Sequence, residues 1–193
     1  MYPSTLLRER LSRRLPEAPA AADLDVPGTS PAAVLVPVIA DGEHPRLVFT
    51  ERTMSLSRHA GEISFPGGLP EDGEDLADAA LREAQEEVGI DPAGVSLAGT
   101  LPPVPTHVSG LLIVPFVGVL EAEPSFVPNE AEIAQVFAVP VRTLASVGEE
   151  REFERDGRRF TTFVFEVDDH VIWGATGRIL RSFLDALDEP GAS

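Results

Sequence analysis

The stretch from Gly68 to Ile90 constrains this chain most strongly, because it joins a glycine-rich loop to a single helix. The segment from Pro66 to Gly73 is dense in Gly and Pro, which indicates a loop. From about Asp75, apolar residues recur at the spacing of one helix stripe, namely Ala77, Ala80, Leu81, Ala84 and Val88. Gly89 predicts the end of this helix, because the residue just past a helix often needs a positive φ.

The same helix carries three glutamates at a fixed spacing. Glu83, Glu86 and Glu87 are related by i, i+3 and i, i+4, so their carboxylates share one face beside the apolar stripe. Like charges this close repel one another, and a cation or an arginine stabilises them. Oxygen-only ligands favour Mg²⁺ or Mn²⁺ over zinc. On composition alone, however, a glutamate-rich helix is more typical of a solvated surface.

The glycines and the Arg82-Glu83 pair change that interpretation, because the segment resembles the signature of the Nudix hydrolase superfamily. The residues that match it are Gly68, Glu74, Arg82, Glu83, Glu86, Glu87 and Gly89, with Ile90 at the final aliphatic position. Ala84 departs from the signature, where a bulkier aliphatic residue is more usual. The resemblance implies metal-dependent diphosphate hydrolysis, in which Glu83, Glu86 and Glu87 bind the metal. It also implies that Arg82 pairs with Glu74, and both are expected to be catalytic residues.

The segment before the helix narrows the resemblance to coenzyme A pyrophosphatases. Its matches to the signature found upstream of the Nudix box in those enzymes are Thr50, Arg52, Gly61, Phe65, Pro66, Gly67 and Gly68. Thr53 and Ser57 depart from it: Ser57 stands where an arginine is usual, and Arg58 follows one place later. The resemblance implies substrate binding by Arg52, Arg58, Phe65, Gly67 and Gly68, with Gly68 also beside the metal. Ordinary surface roles stay open for both arginines.

Two later segments resemble the same family. In the loop from Asn129 to Ile133, Glu132 matches best the acid that often helps to hold metal in such enzymes. A carboxylate at the start of a helix is the alternative interpretation of Glu132. The segment from Ile172 to Leu180 resembles the closing Trp-Gly-x-Thr segment of the family, for which we expect a structural role. The resemblance therefore covers about residues 30 to 187.

Composition and charge exclude several classes of protein. The chain has 193 residues, of which 43% are hydrophobic and 24% charged, so it is expected to be globular. The net charge of −17 argues against a nucleic-acid partner, which requires clustered Lys and Arg. Cysteine is absent, which excludes disulfides and a thiolate nucleophile. No apolar stretch approaches the roughly 20 residues of a membrane span, and no signal peptide is evident, so we expect a cytoplasmic protein with no membrane partner.

The coarse pattern predicts an α/β fold with a mixed sheet. The predicted strands are 32–39, 47–50, 95–100, 111–120, 136–139 and 160–167. An amphipathic helix is predicted over 2–15, with Leu6, Leu7, Leu11 and Leu15 on one side, followed by a flexible connector over 16–31. A charged hairpin is predicted over 149–159 and a closing helix over 177–187. Residues 1–30 are expected to precede a Nudix domain over 31–190, and the resemblance implies an α/β/α sandwich with N-terminal and C-terminal helices.

The expected activity is cleavage of coenzyme A or acyl-CoA into 3′,5′-ADP and (acyl-)4′-phosphopantetheine, with Mg²⁺ or Mn²⁺ as cofactor. Two alternatives stay open. One is a Nudix pyrophosphatase that acts on ADP-ribose, a dinucleotide or a nucleoside triphosphate. The other is a catalytically silent domain that senses a nucleotide. The N-terminal helix and the excursion over 150–159 are candidates for a homodimer interface.

Overall fold

A computed structural model describes residues 4–17, 24, 26–42, 44–54, 60–106, 109–155 and 158–188. The predicted substrate residue Arg58, the departure at Ser57 and the predicted turn Asp156-Gly157 lie outside these residues. Residues 18–23 and 25 of the predicted connector over 16–31 also lie outside them. The fold and the site are described for the remaining residues.

The centre of the fold is a mixed sheet of eight strands, counted over the described ranges. Its strands are β1 (Ser30–Ile39), β2 (Arg46–Arg52), β3 (Ile63–Ser64), β4 (Gly67–Gly68), β5 (Val95–Thr100), β6 (Val104–Pro105), β7 (Leu111–Leu120) and β8 (Ile133–Pro140). The central path runs β3-β2-β1-β7-β5, while β8 pairs with β2, β4 with β1 and β6 with β7. The long pairing of β1 with β7 is parallel, and the other pairings are antiparallel. Five of the six predicted strands are thereby confirmed, three of them with small extensions, and the sixth, 160–167, lies in a second sheet.

The central strand β1 is buried on both faces because helices cover both sides of the sheet. Ala33 and Leu35 belong to the apolar cluster on the side of the glutamate-bearing helix. Val36 and Val38 belong to the larger cluster on the opposite side. Successive side chains of a strand point to opposite faces, so one apolar run serves both cores.

Four helices flank the sheet within the described residues: α1 (Ser4–Arg14), α2 (Leu76–Val88), α3 (Val141–Val147) and α4 (Gly174–Leu187). The helix α2 packs against one face through Ala79, Ala80, Ala84 and Val88. Residues of α1 and α4 join the core on the other face. This arrangement confirms the expected α/β/α sandwich with helices near both ends of the chain.

The buried side of α2 differs slightly from the predicted stripe. Ala79 is fully buried, whereas Ala77 and Leu81 are only partly buried. Ala79 therefore joins the buried side of the helix, and Ala77 and Leu81 pack at its margin. Gly89 ends the helix with a φ of 75°, as predicted.

A second sheet of three strands lies on the same side of the main sheet as α4. It consists of β9 (Gly148–Arg155), β10 (Arg158–Val167) and β11 (His170–Ile172), in the order β11-β10-β9. The predicted charged hairpin is therefore present, with Arg155 opposite Arg158. The strand β11 and the helix α3 were not predicted, because three and seven residues are too short for a periodic signal.

Three predicted details of the termini need correction. Leu7, Leu11 and Leu15 are buried, but Leu6 is 52% exposed, because only the i, i+4 series faces the core. In the described part of the connector, the Pro16 carbonyl accepts a hydrogen bond from the Thr100 amide at 2.9 Å, and β1 already begins at Ser30. The closing helix begins at Gly174, three residues before the predicted start.

Within the described ranges, no helix combines the length and the apolarity that a bilayer span requires.

One buried and one exposed leucine of α1 test whether this helix is part of the core. Replacing Leu11, which is fully buried, with Ala should lower the free energy of unfolding by about 2–5 kcal/mol. Replacing the exposed Leu6 with Ala should change it by about 0.5 kcal/mol or less. Urea unfolding followed by circular dichroism measures both, and equal effects of the two variants would contradict the packing of α1.

Candidate functional site

The loop before α2 is held against the sheet by backbone contacts that only glycine permits. In β4, Gly67 lies opposite Val34 of β1 and has a φ of 156°. A Cβ at this position would lie 2.3 Å from the Ala33 carbonyl oxygen. The preceding Pro66 carbonyl accepts a hydrogen bond from the Leu35 amide at 2.9 Å. The loop backbone is therefore fixed at the edge of β1, beside α2.

Gly68 brings the loop backbone against the carboxylate of Glu83. A Cβ at Gly68 would lie 2.6 Å from Glu83 Cδ and 2.7 Å from Glu83 Oε1. Any larger residue would displace this carboxylate. The predicted neighbours Gly68 and Glu83 are therefore in contact.

Arg82 ties α2 to the loop through Glu74. Its Nε donates to Glu74 Oε1 at 2.9 Å, and its Nη2 donates to Glu74 Oε2 at 3.0 Å. This two-point, charge-assisted geometry is the strongest arrangement for an arginine–carboxylate pair. The Arg82 guanidinium, together with the Glu71 amide, lowers the pKa of Glu74 below its ordinary value. The predicted pairing of Arg82 with Glu74 is confirmed.

The same guanidinium also contacts the first two glutamates of the predicted metal set. Nη1 of Arg82 donates to Glu83 Oε1 at 2.8 Å and to Glu86 Oε2 at 3.3 Å. Nη2 donates in addition to the Leu69 carbonyl oxygen at 3.1 Å. The hydrogen bonds to Glu74 and then to Glu83 raise the pKa of Arg82, so this side chain stays charged.

Glu87 lies in a different environment, under the loop rather than at the surface. Only 6% of this residue is exposed. Its Oε2 accepts a hydrogen bond from the Gly67 amide at 3.1 Å, and its Oε1 lies 3.7 Å from Nη1 of Arg52. Burial raises the pKa of Glu87 to about 7, against the opposing effects of the Gly67 hydrogen bond and Arg52. The nearby charges of Glu83 and Glu132 raise this pKa further.

Arg52 connects Glu87 to the loop that carries Glu132. Its Nη2 lies 4.0 Å from Glu132 Oε2, while Nη1 faces Glu87. The backbone is linked as well, since the Thr53 amide donates to the Glu132 carbonyl oxygen at 2.8 Å. Residues far apart in sequence thus converge around one guanidinium at the end of β2.

The structure does not assemble the predicted cluster of three carboxylates as a ready-made metal site. Within the part of the chain that it describes, no group of three or more Asp, Glu or His side chains is arranged to hold a metal ion. Glu83 and Glu86 turn to Arg82, whereas Glu87 turns under Gly67. The repulsion expected between these charges is relieved by an arginine and by separation of the side chains.

Phe65 does not take the expected position at a substrate surface. Its ring is 3% exposed and stacks on Phe49, with ring centroids 4.8 Å apart. Phe49 stacks in turn on Phe137, so these rings form part of the core. Phe65 therefore anchors the loop, because an aromatic side chain next to Pro66 and Gly67 buries a large apolar area.

Known proteins resemble this chain over most of its length. Residues 29–163 match the model of the NUDIX domain. A relative from Pectobacterium atrosepticum, named as the uncharacterized Nudix hydrolase NudL, is 37% identical over 163 residues, which cover 82% of this chain and 84% of the relative. A protein of the same name from Cronobacter sakazakii is 39% identical over 153 residues, covering 78% of this chain and 79% of the relative.

Solved structures show the same fold. A MutT/nudix family protein from Enterococcus faecalis superposes with a TM-score of 0.57 at 15% identity, covering 96% of this chain and 74% of that protein. The NUDIX domain of Shewanella oneidensis NrtR, solved with ADP ribose, gives a TM-score of 0.50 at 15% identity, with coverages of 67% and 82%. At these identities the likeness concerns the fold alone.

The buried Glu87 predicts a pH dependence of stability in metal-free protein. A carboxyl group with a pKa near 4.5 when unfolded and about 7 when folded binds more protons in the folded state between these values, so stability falls as pH rises through this window. The loss should reach about 3 kcal/mol above pH 7. Urea unfolding in EDTA between pH 5 and 8 measures it.

Two variants separate the contribution of Glu87 to the pH dependence from those of the other titratable groups. Glu87→Gln should remove the slope that wild type shows, while Asp78→Asn, which changes an exposed acid of the same helix, should keep it. A wild-type slope that persists in Glu87→Gln would contradict the assignment.

Proposed function

The chain belongs to the Nudix hydrolase family, and from that premise we propose that it hydrolyses the diphosphate linkage of coenzyme A or acyl-CoA. The products would be 3′,5′-ADP and (acyl-)4′-phosphopantetheine. One observation supports this proposal above the others: Arg52 of the upstream motif lies 3.7 Å from Glu87 of the Nudix helix. The two segments that resemble the family therefore meet at one carboxylate.

The donor set fits a divalent cation such as Mg²⁺ or Mn²⁺. Glu83 and Glu87 offer oxygen ligands only. The Glu83 carboxylate lies directly against the Gly68 backbone, because glycine has no side chain. Glu87 is a desolvated carboxylate near two other acids, so a cation beside it would favour its charged form. We assign Glu83, Glu86 and Glu87 as the residues that would hold the ion, with Glu132 and Gly68 beside them.

When bound, a divalent cation neutralises charge on the phosphate oxygens and activates the attacking water. The residues of the chain supply position and proton transfer. Arg82 and Glu74 fix α2 against the loop, and the glycines let the loop backbone approach the phosphates closely. One carboxylate of the site receives the proton of the water.

Among the described residues, Arg52 is the predicted substrate-binding arginine that lies at the site. Its side chain is 27% exposed, and its two contacts to carboxylates, at 3.7 Å and 4.0 Å, are longer than hydrogen bonds. An arginine held this loosely can bind a phosphate at low cost, because its planar guanidinium suits that group.

The net charge of −17 and the absence of cysteine favour a cytoplasmic protein with a small-molecule substrate rather than nucleic acid.

Ser57 favours a second candidate, in which the same chemistry acts on another nucleoside diphosphate derivative. It occupies a position where the resemblance to coenzyme A pyrophosphatases implies an arginine. Without that positive charge, ADP-ribose or a dinucleotide becomes the alternative substrate. A silent sensor is disfavoured, since a domain that only binds has no need of the full set of acids.

Product analysis tests the substrate directly. Purified protein is incubated with coenzyme A, ADP-ribose, NADH and nucleoside triphosphates, with and without Mg²⁺ or Mn²⁺, and the products are separated by chromatography. We expect metal-dependent release of 3′,5′-ADP from coenzyme A at the highest kcat/KM. Preferred cleavage of another substrate would reject the coenzyme A assignment, and binding without any cleavage would favour a sensor.

Site variants test the roles of the carboxylates on whichever substrate wild type cleaves. Glu86→Gln and Glu87→Gln should each lower kcat by about 100-fold or more, because each removes a carboxylate that would hold the metal ion or accept the proton of the water. Circular dichroism should show an intact fold. Asp78→Asn, on the same helix but exposed, should keep kcat within about twofold. Near-normal activity of both Gln variants would contradict the assignment.

A further inference from the structure

We propose that Asn129 is a positioning residue that sets the distance between Glu132 and Glu87. This inference rests on the proposed function, because it assigns Glu132 a part in the same site. Asn129 lies in the segment between β7 and β8 and is itself exposed. Its contacts join the end of α2 to the turn that carries Glu132.

The first link runs from the segment to the end of α2. The Asn129 amide donates to the Glu87 carbonyl oxygen at 2.8 Å, and the Val127 amide donates to the Val88 carbonyl oxygen at 2.9 Å. Carbonyl groups in the last turn of a helix lack partners within the helix, so these bonds satisfy two of them. The segment is thereby fixed to the residue that carries the buried carboxylate.

The second link is a tight turn that Asn129 closes with both its backbone and its side chain. Its carbonyl oxygen accepts hydrogen bonds from the amides of Glu132 at 2.9 Å and Ile133 at 2.8 Å. Its Oδ1 accepts a hydrogen bond from the Ala131 amide at 3.2 Å. An asparagine side chain that accepts from the amide two residues on is a common stabiliser of such turns. The turn fixes the backbone of Glu132.

The third link closes the ring at Arg52. The Glu132 carbonyl oxygen accepts a hydrogen bond from the Thr53 amide at 2.8 Å, and the carboxylates of Glu132 and Glu87 lie on either side of the Arg52 guanidinium. A continuous path therefore runs from the backbone of Glu87, through Asn129 and Glu132, to Arg52 and back to the carboxylate of Glu87. On this path Asn129 joins the backbone of α2 to the backbone of the turn, whereas Arg52 lies between their carboxylate side chains.

A double-mutant cycle tests the proposal on the substrate that wild type cleaves. Asn129→Ala removes only the side-chain acceptor and should lower kcat roughly fivefold to tenfold, with KM changed less than twofold. Glu132→Gln should lower kcat roughly tenfold. The double variant should have a kcat less than about twofold below that of Glu132→Gln alone, because the effect of Asn129 acts through Glu132. Effects that multiply, or wild-type kcat in Asn129→Ala, would overturn the proposal.

A second readout needs neither metal nor turnover. Amide hydrogen exchange of metal-free Asn129→Ala should show roughly fivefold to tenfold faster exchange at Ala131 and Glu132, with the amides of α2 unchanged. Asn129→Asp keeps the accepting oxygen and should restore both protection and kcat to within about threefold of wild type. Unchanged protection in Asn129→Ala, or failure of Asp to restore it, would overturn the proposal.

A control variant and the substrate preference of wild type distinguish a failure of this proposal from a failure of the proposed function. Glu130→Gln changes the charge of the same turn at an exposed side chain and should leave kcat and exchange within about twofold of wild type. If wild type cleaves a diphosphate other than coenzyme A, the substrate assignment fails while the cycle can still be measured. If wild type cleaves coenzyme A and the cycle is additive, only the role of Asn129 fails.

Discussion

The burial of the Glu87 carboxylate is the constraint on which the rest of the site depends. An acid that is 6% exposed must be compensated, and the compensation comes from the Gly67 amide and from Arg52. Those two partners require the loop to lie against β1 and the end of β2 to approach α2. The close approach of Gly67 to β1 and the convergence of distant segments at Arg52 together place these two partners beside the carboxylate.

The two halves of the acidic face are stabilised by different means. Glu83 and Glu86 share the guanidinium of Arg82, which is held by Glu74 and stays fully charged. Glu87 instead keeps weak partners and a pKa near neutrality. Burial disfavours the charged form of Glu87 more than its partners stabilise it, so a bound cation would change the free energy of this carboxylate most. This contrast supports Glu87 as the anchor of the proposed metal site.

Local signals made much of this predictable from the sequence. The extent of α2 and its end at Gly89 follow from helix periodicity and glycine conformation, and the pairing of Arg82 with Glu74 follows from the resemblance to the Nudix signature. The core role of Phe65, the exposure of Leu6 and the rotation of Ala79 into the core depend on long-range packing, which periodicity does not encode. The helix geometry placed three glutamates on one face, but it did not show that Arg82 would draw two of them away from Glu87.

A titration with Mn²⁺ tests most directly whether the buried Glu87 carboxylate anchors the proposed metal site. Metal-free wild type, Glu87→Gln and Asp78→Asn are titrated, and binding is monitored by calorimetry or electron paramagnetic resonance. If the buried carboxylate anchors the site, Glu87→Gln should weaken the affinity at least about tenfold, while Asp78→Asn should bind as wild type does. Equal affinity in wild type and Glu87→Gln would contradict the claim that the buried carboxylate anchors the site.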